Sequence, residues 1–319
     1  MMVTRRHLVA GALALPLAAR ASILGAQQFA GTYAPVAHAV GDGIWLVRGA
    51  DDPIEFANGG AIANSIILAS DAGAIAVDPG PSLAFGKALD ALARQVTGKP
   101  VTRIYLTNLH PDRSFGNVAF KHREIHALPQ TTAGLERDGP GFADAMYRLL
   151  GGWMTGTEVV LPTHDAVSGP ISYGGRELEL FDLSGHTEGD LALLDKPTGS
   201  LIAGGLVFHN RAPATPHANL AAWQSSLGKL ETIPHRQLLP GHGPLDPQGQ
   251  AIAQTRDWLI WIEDALRSAV VGGLDMTEAS NIPIPQRFAD VRVARYEIHR
   301  SVSHFYPALE AELLPRIDG

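Results

Sequence analysis

Two successive blocks of this chain have a similar order of predicted strands and helices, and this order restricts the fold more than any other feature. In each block, short apolar runs bounded by glycine or proline are typical of strands, and apolar residues at helical spacing are typical of a helix. Because each sheet must bury a face, the two blocks predict two sheets packed face to face with helices outside. The predicted strands cover residues 44–47, 65–69, 74–77, 101–107, 177–183, 191–194, 201–203 and 237–239.

Helical spacing of apolar residues marks three segments within these blocks and two more in the tail. We therefore predict an α/β domain over residues 40–248 and a C-terminal helical extension over residues 249–319 that packs on it. His299 and His304 in the tail are five positions apart, which does not place two ligands on one helix face, so we interpret both as packing or surface residues. The predicted helical segments are residues 85–96, 146–153, 220–230, 252–270 and 296–314.

The first residues have the pattern of an export signal. Arg5 and Arg6 precede an apolar run over residues 8–19, and small residues follow. This run is too short to span a bilayer as a helix, and paired arginines before such a run are typical of twin-arginine signals. We predict that residues 1–26 are a removable signal and that the mature protein is periplasmic, without a membrane segment. A buried N-terminal helix or a retained anchor is the alternative interpretation.

Composition narrows both the partners and the metal chemistry. The chain has 25 basic and 32 acidic residues and a net charge of −7, which argues against a nucleic-acid-binding protein that works through a basic surface. The chain has no cysteine, so neither a disulfide framework nor a thiolate metal site can form. Any metal must therefore be held by nitrogen and oxygen donors, and the 13 histidines offer the nitrogen.

Polar residues with metal-binding capacity follow three of the predicted strands. Asn108, His110 and Asp112 alternate along the chain, so an extended backbone would point their side chains to one side. His186 and His242 follow later strands, among glycines that permit tight turns. Each histidine alone is better explained as structural, but the combination in this order predicts a functional site at the strand ends.

These stretches make the chain similar to the metallo-β-lactamase superfamily over about residues 43–244. Asp78, which is followed by proline and glycine, matches that family's strand-end aspartate. The resemblance implies an αββα sandwich with a one- or two-zinc site between the sheets. Residues 108–120, 185–190 and 239–243 are most similar to the periplasmic zinc metallohydrolases of quinoprotein relay systems, a SoxH-like group, which implies a periplasmic quinoprotein system as a partner.

The zinc-binding pattern that this resemblance implies is incomplete in the chain. The family pattern is His-x-His-x-Asp-His, then a distant His, a bridging Asp or Cys, and a last His. Four of these positions carry ligand-type residues here and three do not. The retained ligands are His110, Asp112, His186 and His242, and the replaced positions are Asn108, Arg113 and Gly205.

Each of the family's two zinc pockets keeps only two ligands here, whereas a catalytic zinc normally needs three protein ligands and an open position. Glycine offers no side-chain donor, and arginine has no lone pair to give. Single-zinc carbapenem-hydrolysing lactamases also have Asn and Arg at two of these positions, but they complete their site with a cysteine where this chain has Gly205.

The arrangement that remains is one weakly held zinc ion that collects all four retained ligands, or no metal at all. His209 or His217, in the loop after Gly205, could act as a substitute ligand. If the missing acid limits zinc binding, Gly205→Asp is expected to raise the zinc affinity.

Two functions therefore stay open. The first is a metal-dependent hydrolase of a small ester, lactone, thioester or lactam, in which Asp112 orients a zinc-activated water and Asn108 or Arg113 polarises the substrate carbonyl. The second is a non-catalytic relative that binds a small molecule or a protein partner in the former cleft, with Arg113 supplying the charge of the lost metal. We favour the first, without predicting turnover.

Overall fold

The computed structural model describes residues 31–314, and these residues form two β-sheets covered by helices. The first sheet has seven strands that lie side by side in chain order. Strands β1 to β4 pair antiparallel, and β4 to β7 pair parallel. The strands are β1 (Ala37–Gly41), β2 (Ile44–Val47), β3 (Ser65–Leu68), β4 (Ala74–Val77), β5 (Val101–Tyr105), β6 (Glu124–Ala127) and β7 (His164–Asp165).

The second sheet has five strands, in the order β12-β11-β10-β9-β8. Strands β8 to β11 form antiparallel pairs, and β12 is parallel to β11 because a helix connects the two. The strands are β8 (Gly169–Tyr173), β9 (Arg176–Leu183), β10 (Asp190–Asp195), β11 (Ser200–Phe208) and β12 (Gln237–His242).

Helices connect the parallel strands and form the tail. Helix α1 joins β4 to β5, α4 joins β11 to β12, and α5 to α7 follow the last strand. The helices are α1 (Leu83–Thr97), α2 (Pro111–Ser114), α3 (Pro129–Leu150), α4 (Leu220–Thr232), α5 (Ala251–Val271), α6 (Met276–Ala279) and α7 (Ala294–Leu313).

Three apolar layers hold these elements together. Between the sheets, residues such as Val77 and Tyr105 of the first sheet pack with Leu193 of the second. Outside the first sheet, the layer includes Phe85 and Leu89 of α1. Outside the second sheet, the layer is formed by α4, α5 and α7 together with strand residues. The predicted αββα sandwich is confirmed, and its C-terminal helices pack on the second sheet.

The structure differs from the sequence-based prediction in its third helix and its short strands. The segment predicted as a helix over 146–153 is the end of α3, which begins at Pro129. Gly134, Gly139 and Pro140 lie inside this helix, and their low helix propensity hides its first half from a sequence pattern. The strand predicted over 201–203 extends to Phe208, which brings Gly204 and Gly205 into the sheet.

Residues 1–26, the predicted signal, lie outside the described residues. Among the helices of residues 31–314, none is long and apolar enough to cross a membrane.

A buried arginine connects the two sheets. Arg176 at the start of β9 binds both carboxylate oxygens of Asp195, with N···O distances of 2.7 and 2.8 Å. Its remaining donors bind the backbone carbonyls of Ala69 and Asp42, both at 3.2 Å. Those two residues belong to the turns of the first sheet, so Arg176 ties one sheet to the other.

We expect Arg176→Met to lower the free energy of unfolding by about 3 kcal/mol or more, because Asp195 would be left buried without its cation. Denaturant unfolding followed by circular dichroism measures the change. The matched control is Arg267→Met, which removes an arginine from an exposed ion pair with Glu312 and should change stability little. Equal stability losses in the two variants would contradict the role given to Arg176.

Candidate functional site

The predicted site residues meet at one edge of the sandwich, where strands of both sheets end. Asn108 and His110 follow β5, and His186 lies in the turn between β9 and β10. His242 is the last residue of β12, and Gly205 lies within the neighbouring strand β11. Strand ends of the two facing sheets thus bring together residues that are far apart in the sequence.

Asp78 fixes the loop that carries the polar triplet. It follows β4 with a φ of +57°, a left-handed conformation that few residues other than glycine adopt. Its Oδ1 accepts the backbone N–H of Thr107 at 2.8 Å and its Oδ2 accepts the Thr107 hydroxyl at 2.7 Å. The same Oδ2 accepts Nη1 of Arg113 at 2.6 Å. Burial raises the pKa of Asp78, and the Arg113 charge opposes that rise.

Arg113 is a buried cation rather than a surface contact. Its side chain is 0% exposed, and among residues 31–314 its Nε and Nη2 have no hydrogen-bond partner. Gly241 lies against it so closely that a Cβ there would come within 2.3 Å of Nη2. The sequence-based hypothesis that Arg113 polarises a substrate carbonyl is at odds with this burial. In this structure the guanidinium neutralises Asp78 beneath the site.

The first group of site residues contains Asn108, His110 and His186. The Oδ1 atom of Asn108 accepts the backbone N–H of His110 at 3.0 Å, so one lone pair of the carbonyl that could have replaced a histidine ligand is already used. The Nδ2 atom of Asn108 lies 3.5 Å from Nδ1 of His186. The rings of His110 and His186 meet edge to face with their centroids 4.7 Å apart, and Nε2 of His186 is buried without a hydrogen-bond partner in the described part of the chain.

A histidine outside the family pattern joins this group. Nε2 of His110 lies 2.9 Å from Nδ1 of His217, so one of the two rings donates a hydrogen bond to the other. The ring of Phe142 contacts both histidines edge to face, at centroid distances of 6.3 and 5.6 Å. Of the two substitutes that the sequence offers, His217 reaches the site. His209 instead contacts the carbonyl of Pro244 through Nδ1 at 3.0 Å.

The second group is a pair formed by Asp112 and His242. Oδ2 of Asp112 lies 3.5 Å from Nε2 of His242. Nδ1 of His242 lies 2.9 Å from the carbonyl of Ile62, a contact that requires the Nδ1 proton. Phe208 stacks on the imidazole with a centroid distance of 4.8 Å. With its proton on Nδ1, His242 turns a lone pair toward the carboxylate of Asp112.

Three of the site histidines are held neutral. Burial is the main cause that lowers the pKa of His110, His217 and His242 below the ordinary value for histidine. The charge of neighbouring histidines adds to the effect at His110 and His217, and the cations Arg211 and Arg113 add to it at His242. At neutral pH the site therefore offers neutral imidazoles, which both donate and accept hydrogen bonds.

Gly205 lies where the family has its bridging ligand, and the space beside it is filled. A Cβ at this position would come within 2.3 Å of Nδ1 of His186 and 2.4 Å of Nδ2 of Asn108. Real Cβ atoms essentially never approach other atoms so closely. Asn108 and His186 therefore close the gap that a bridging side chain would occupy. A carboxylate introduced by Gly205→Asp would have to displace the side chains of Asn108 and His186, and the expectation that it raises the zinc affinity stays a prediction.

The residues present do not fit the family's zinc centre. Within residues 31–314, no three His, Asp or Glu side chains are grouped so that they could hold a metal ion together. The four predicted ligands lie at one edge, where His110 contacts His186 and Asp112 faces His242. A structural or catalytic zinc needs at least three protein ligands, and the described side chains, His217 included, are not grouped in that way.

Sequence reasoning missed a buried ion network beside the site. Nη1 of Arg211 lies 3.9 Å from Oε1 of Glu297, and both side chains are buried. Arg300 donates to both Glu297 oxygens, at 3.1 and 3.0 Å. The spacing of Glu297 could have indicated this network. Glu297 lies on the same face of α7 as the buried residues Ala294 and Ser301, and a buried charge needs a partner.

Comparison with known families identifies the class of the protein. The sequence model of the Metallo-beta-lactamase superfamily matches residues 58–242, more than half of the chain, and the chain therefore belongs to this superfamily. A comparison with curated proteins found no match.

Solved structures show the same fold at low sequence identity. A metallo-beta-lactamase from Pontibacter korlensis has a TM-score of 0.57 and 17% identity, covering 71% of this chain and 99% of its own. The metallo-beta-lactamase FIM-1 from Pseudomonas aeruginosa, in its mono-zinc form, has a TM-score of 0.57 and 16% identity, covering 72% and 96%. The metallo-beta-lactamase IND-7 has a TM-score of 0.57 and 20% identity, covering 72% and 100%. The helices α5 to α7 lie beyond the range that matches the family.

We expect Gly205→Ala to destabilise the protein by about 1–3 kcal/mol, because the added methyl group must displace two buried side chains. Chemical denaturation measures the loss. Gly228→Ala is the matched control, since Gly228 lies within α4 and a Cβ there meets nothing within 4 Å. The control should gain about 0.5–1 kcal/mol from helix propensity. A Gly205→Ala protein as stable as the wild type would show that the pocket is not filled.

Proposed function

We propose that this chain is a metallo-β-lactamase-fold protein that binds a small molecule in the former active-site cleft, without the zinc pair of its family. The observation that carries this proposal is the contact of Asn108 and His186 across Gly205, which fills the place of the bridging ligand. The oxygen of Asn108 is also committed to the backbone of His110. Loss of three ligand positions with repacking around the gap supports a binding role.

The ligand class follows from the side chains that the cleft presents. His110, His217 and Phe142 are half-buried, whereas Asn108 and His186 are buried. Neutral imidazoles bind carbonyl and hydroxyl groups by hydrogen bonds, and the Phe142 ring offers an apolar contact beside them. A small compound with a carbonyl group and an apolar part fits this set, which includes the esters, lactones, thioesters and lactams that the family resemblance suggests.

Metal-dependent hydrolysis of such a compound is the second candidate, and one observation favours it. His242 turns the lone pair of Nε2 toward the carboxylate of Asp112 at 3.5 Å. Two acceptors that face each other at this distance attract a cation. Membership of the superfamily supports the same candidate, in which Asp112 and Asn108 keep their predicted catalytic roles.

Metal analysis separates the two candidates. We expect protein purified without chelator to contain far less than one zinc per chain, and to bind added ZnCl₂ no more tightly than about micromolar in calorimetry. We also expect at least one of p-nitrophenyl acetate, γ-butyrolactone, S-phenyl thioacetate and benzylpenicillin to bind without zinc-dependent consumption. His217→Leu should weaken that binding.

The controls assign each alternative outcome. The hydrolase replaces our proposal if the protein contains one zinc per chain and needs it to turn over one of the four compounds. In that case the zinc should be lost in His242→Gln and retained in His122→Gln. His122 is exposed and is not one of the site residues, so the His122→Gln variant reports nonspecific effects of removing a histidine. Failure of all four compounds to bind would contradict a small-molecule role for the cleft.

We further propose that the protein is exported to the periplasm and acts with a quinoprotein system. Arg5 and Arg6 before the apolar run support twin-arginine export. The similarity of residues 108–120, 185–190 and 239–243 to SoxH-like proteins supports the quinoprotein link. No nucleic acid is expected as a partner, because the net charge is −7.

Export is tested by cell fractionation. We expect the wild-type protein in the periplasmic fraction and an Arg5→Lys/Arg6→Lys double variant in the cytoplasm, since the export machinery reads the arginine pair. The control is Arg20→Lys, outside the pair, which should still be exported. Equal distribution of all three proteins between the two fractions would contradict the predicted export signal. Failure of a periplasmic quinoprotein to co-purify with the exported protein would contradict the proposed partner.

A further inference from the structure

An open cavity outside the former zinc cleft lies on the C-terminal extension. It has a volume of about 710 Å³, which is within the range of small-molecule sites. One side is Pro216, in the loop after β11, and the other is a single face of α7. The lining residues from α7 are Arg295, Tyr296, His299, Arg300, Ser303 and His304.

The lining has an unusual charge for an acidic protein. It carries two arginines and two histidines and no carboxylate, although the chain as a whole has a net charge of −7. Glu297 is next to Tyr296 in the sequence, but its side chain is fully buried and binds Arg300 and Arg211. The cavity is therefore a local concentration of positive charge, which attracts anions.

Arg295 supplies the charge that is least compensated. Its Nη1 donates to the backbone carbonyl of Ser280 at 2.7 Å, which orients the guanidinium without neutralising it. Among residues 31–314, no carboxylate lies within ion-pair distance of Arg295. A guanidinium has five N–H donors, so Arg295 keeps donors for an oxyanion. Arg300 has further donors beyond those that bind Glu297.

An aromatic side chain stands beside these cations. Tyr296 is 44% exposed, a large exposure for an aromatic residue, and the Arg300 guanidinium lies 5.6 Å from the centroid of its ring. Cation–π contact holds the two side chains together. With Pro216 opposite, the ring offers an apolar surface of a size that suits a flat organic group.

The cavity is also connected to the former active site. Pro216 precedes His217, whose Nδ1 lies 2.9 Å from Nε2 of His110. On the other side of this short loop, Nε2 of His304 lies 3.4 Å from the carbonyl of Ala218. A molecule in the cavity would thus sit behind the loop that carries His217. Because α7 lies beyond the matched family range, the cavity belongs to the extension of this chain.

We propose that this cavity is a binding site for a small organic oxyanion, a carboxylate or a phosphate ester on an apolar, flat body. Arg295 binds the oxyanion, Arg300 adds positive charge, the two histidines add hydrogen bonds, and Tyr296 with Pro216 contacts the apolar body. Planar, bidentate recognition by arginine suits both oxyanions.

Calorimetry with matched probes tests the site. We expect 2-naphthoate or 2-naphthyl phosphate to bind with a dissociation constant below about 1 mM, and the uncharged 2-naphthamide to bind at least about tenfold more weakly. Binding should weaken as salt is added, because the site attracts through charge. Comparison of the two anions tells which oxyanion the site prefers. All titrations are run with and without a chelator, so that metal in the cleft does not enter the result.

Arg295→Gln is the informative variant, because loss of the Arg295 guanidinium leaves no buried carboxylate unpaired. The alternative, Arg300→Gln, would remove a partner of the buried Glu297. We expect Arg295→Gln to weaken anion binding about tenfold while the melting temperature stays near that of the wild type. The matched control is Arg287→Gln, an exposed arginine that stacks on Phe288 and does not line the cavity. The proposal is overturned if the amide binds as tightly as the anions, if neither anion binds, or if Arg295→Gln and Arg287→Gln have equal effects.

Discussion

The buried contact of Asp78 with Thr107 and Arg113 is the interaction on which the site depends. One carboxylate receives a backbone N–H, a hydroxyl and a guanidinium within 2.8 Å. Burial alone would favour the protonated acid, and the three hydrogen-bond donors favour the charged carboxylate instead. The loop from Thr107 to Arg113 is thereby fixed against the first sheet, and the positions of Asn108, His110 and Asp112 follow from it. Arg113 also places a permanent positive charge beneath the cleft.

The site differs in two ways from the pattern that the family resemblance implies. Arg113 stands at a position where that pattern has a histidine, and its guanidinium cannot lose its proton. The second change is the close approach of Asn108 and His186 across Gly205. The pair formed by Asp112 and His242 is the part of the former centre that still presents two facing acceptors.

The C-terminal helices extend the chemistry of the molecule beyond the shared fold. They cover the second sheet with an apolar layer that includes Trp258 and Tyr306, and they carry the buried Glu297 to Arg211 beside the site. The same helix α7 turns its other face to a cationic cavity behind the His217 loop. One helix thus stabilises the sandwich with its apolar face and offers a binding surface with its polar face. Helix α7 lies beyond the residues that match the superfamily.

The sequence by itself determined the two-sheet architecture, the helical tail and the placement of His110, His186 and His242 at strand ends, because periodicity and turn residues are local properties. Local patterns failed where propensity was weak, as in the glycine-containing first half of α3. Only the tertiary structure decided that Arg113 is buried on Asp78, that His217 reaches His110, and that the side chains of Asn108 and His186 lie against Gly205. Those outcomes depend on distances between segments that are separated along the chain by tens of residues or more. Such distances are set by how the two sheets and the tail pack, and no spacing within the sequence encodes them.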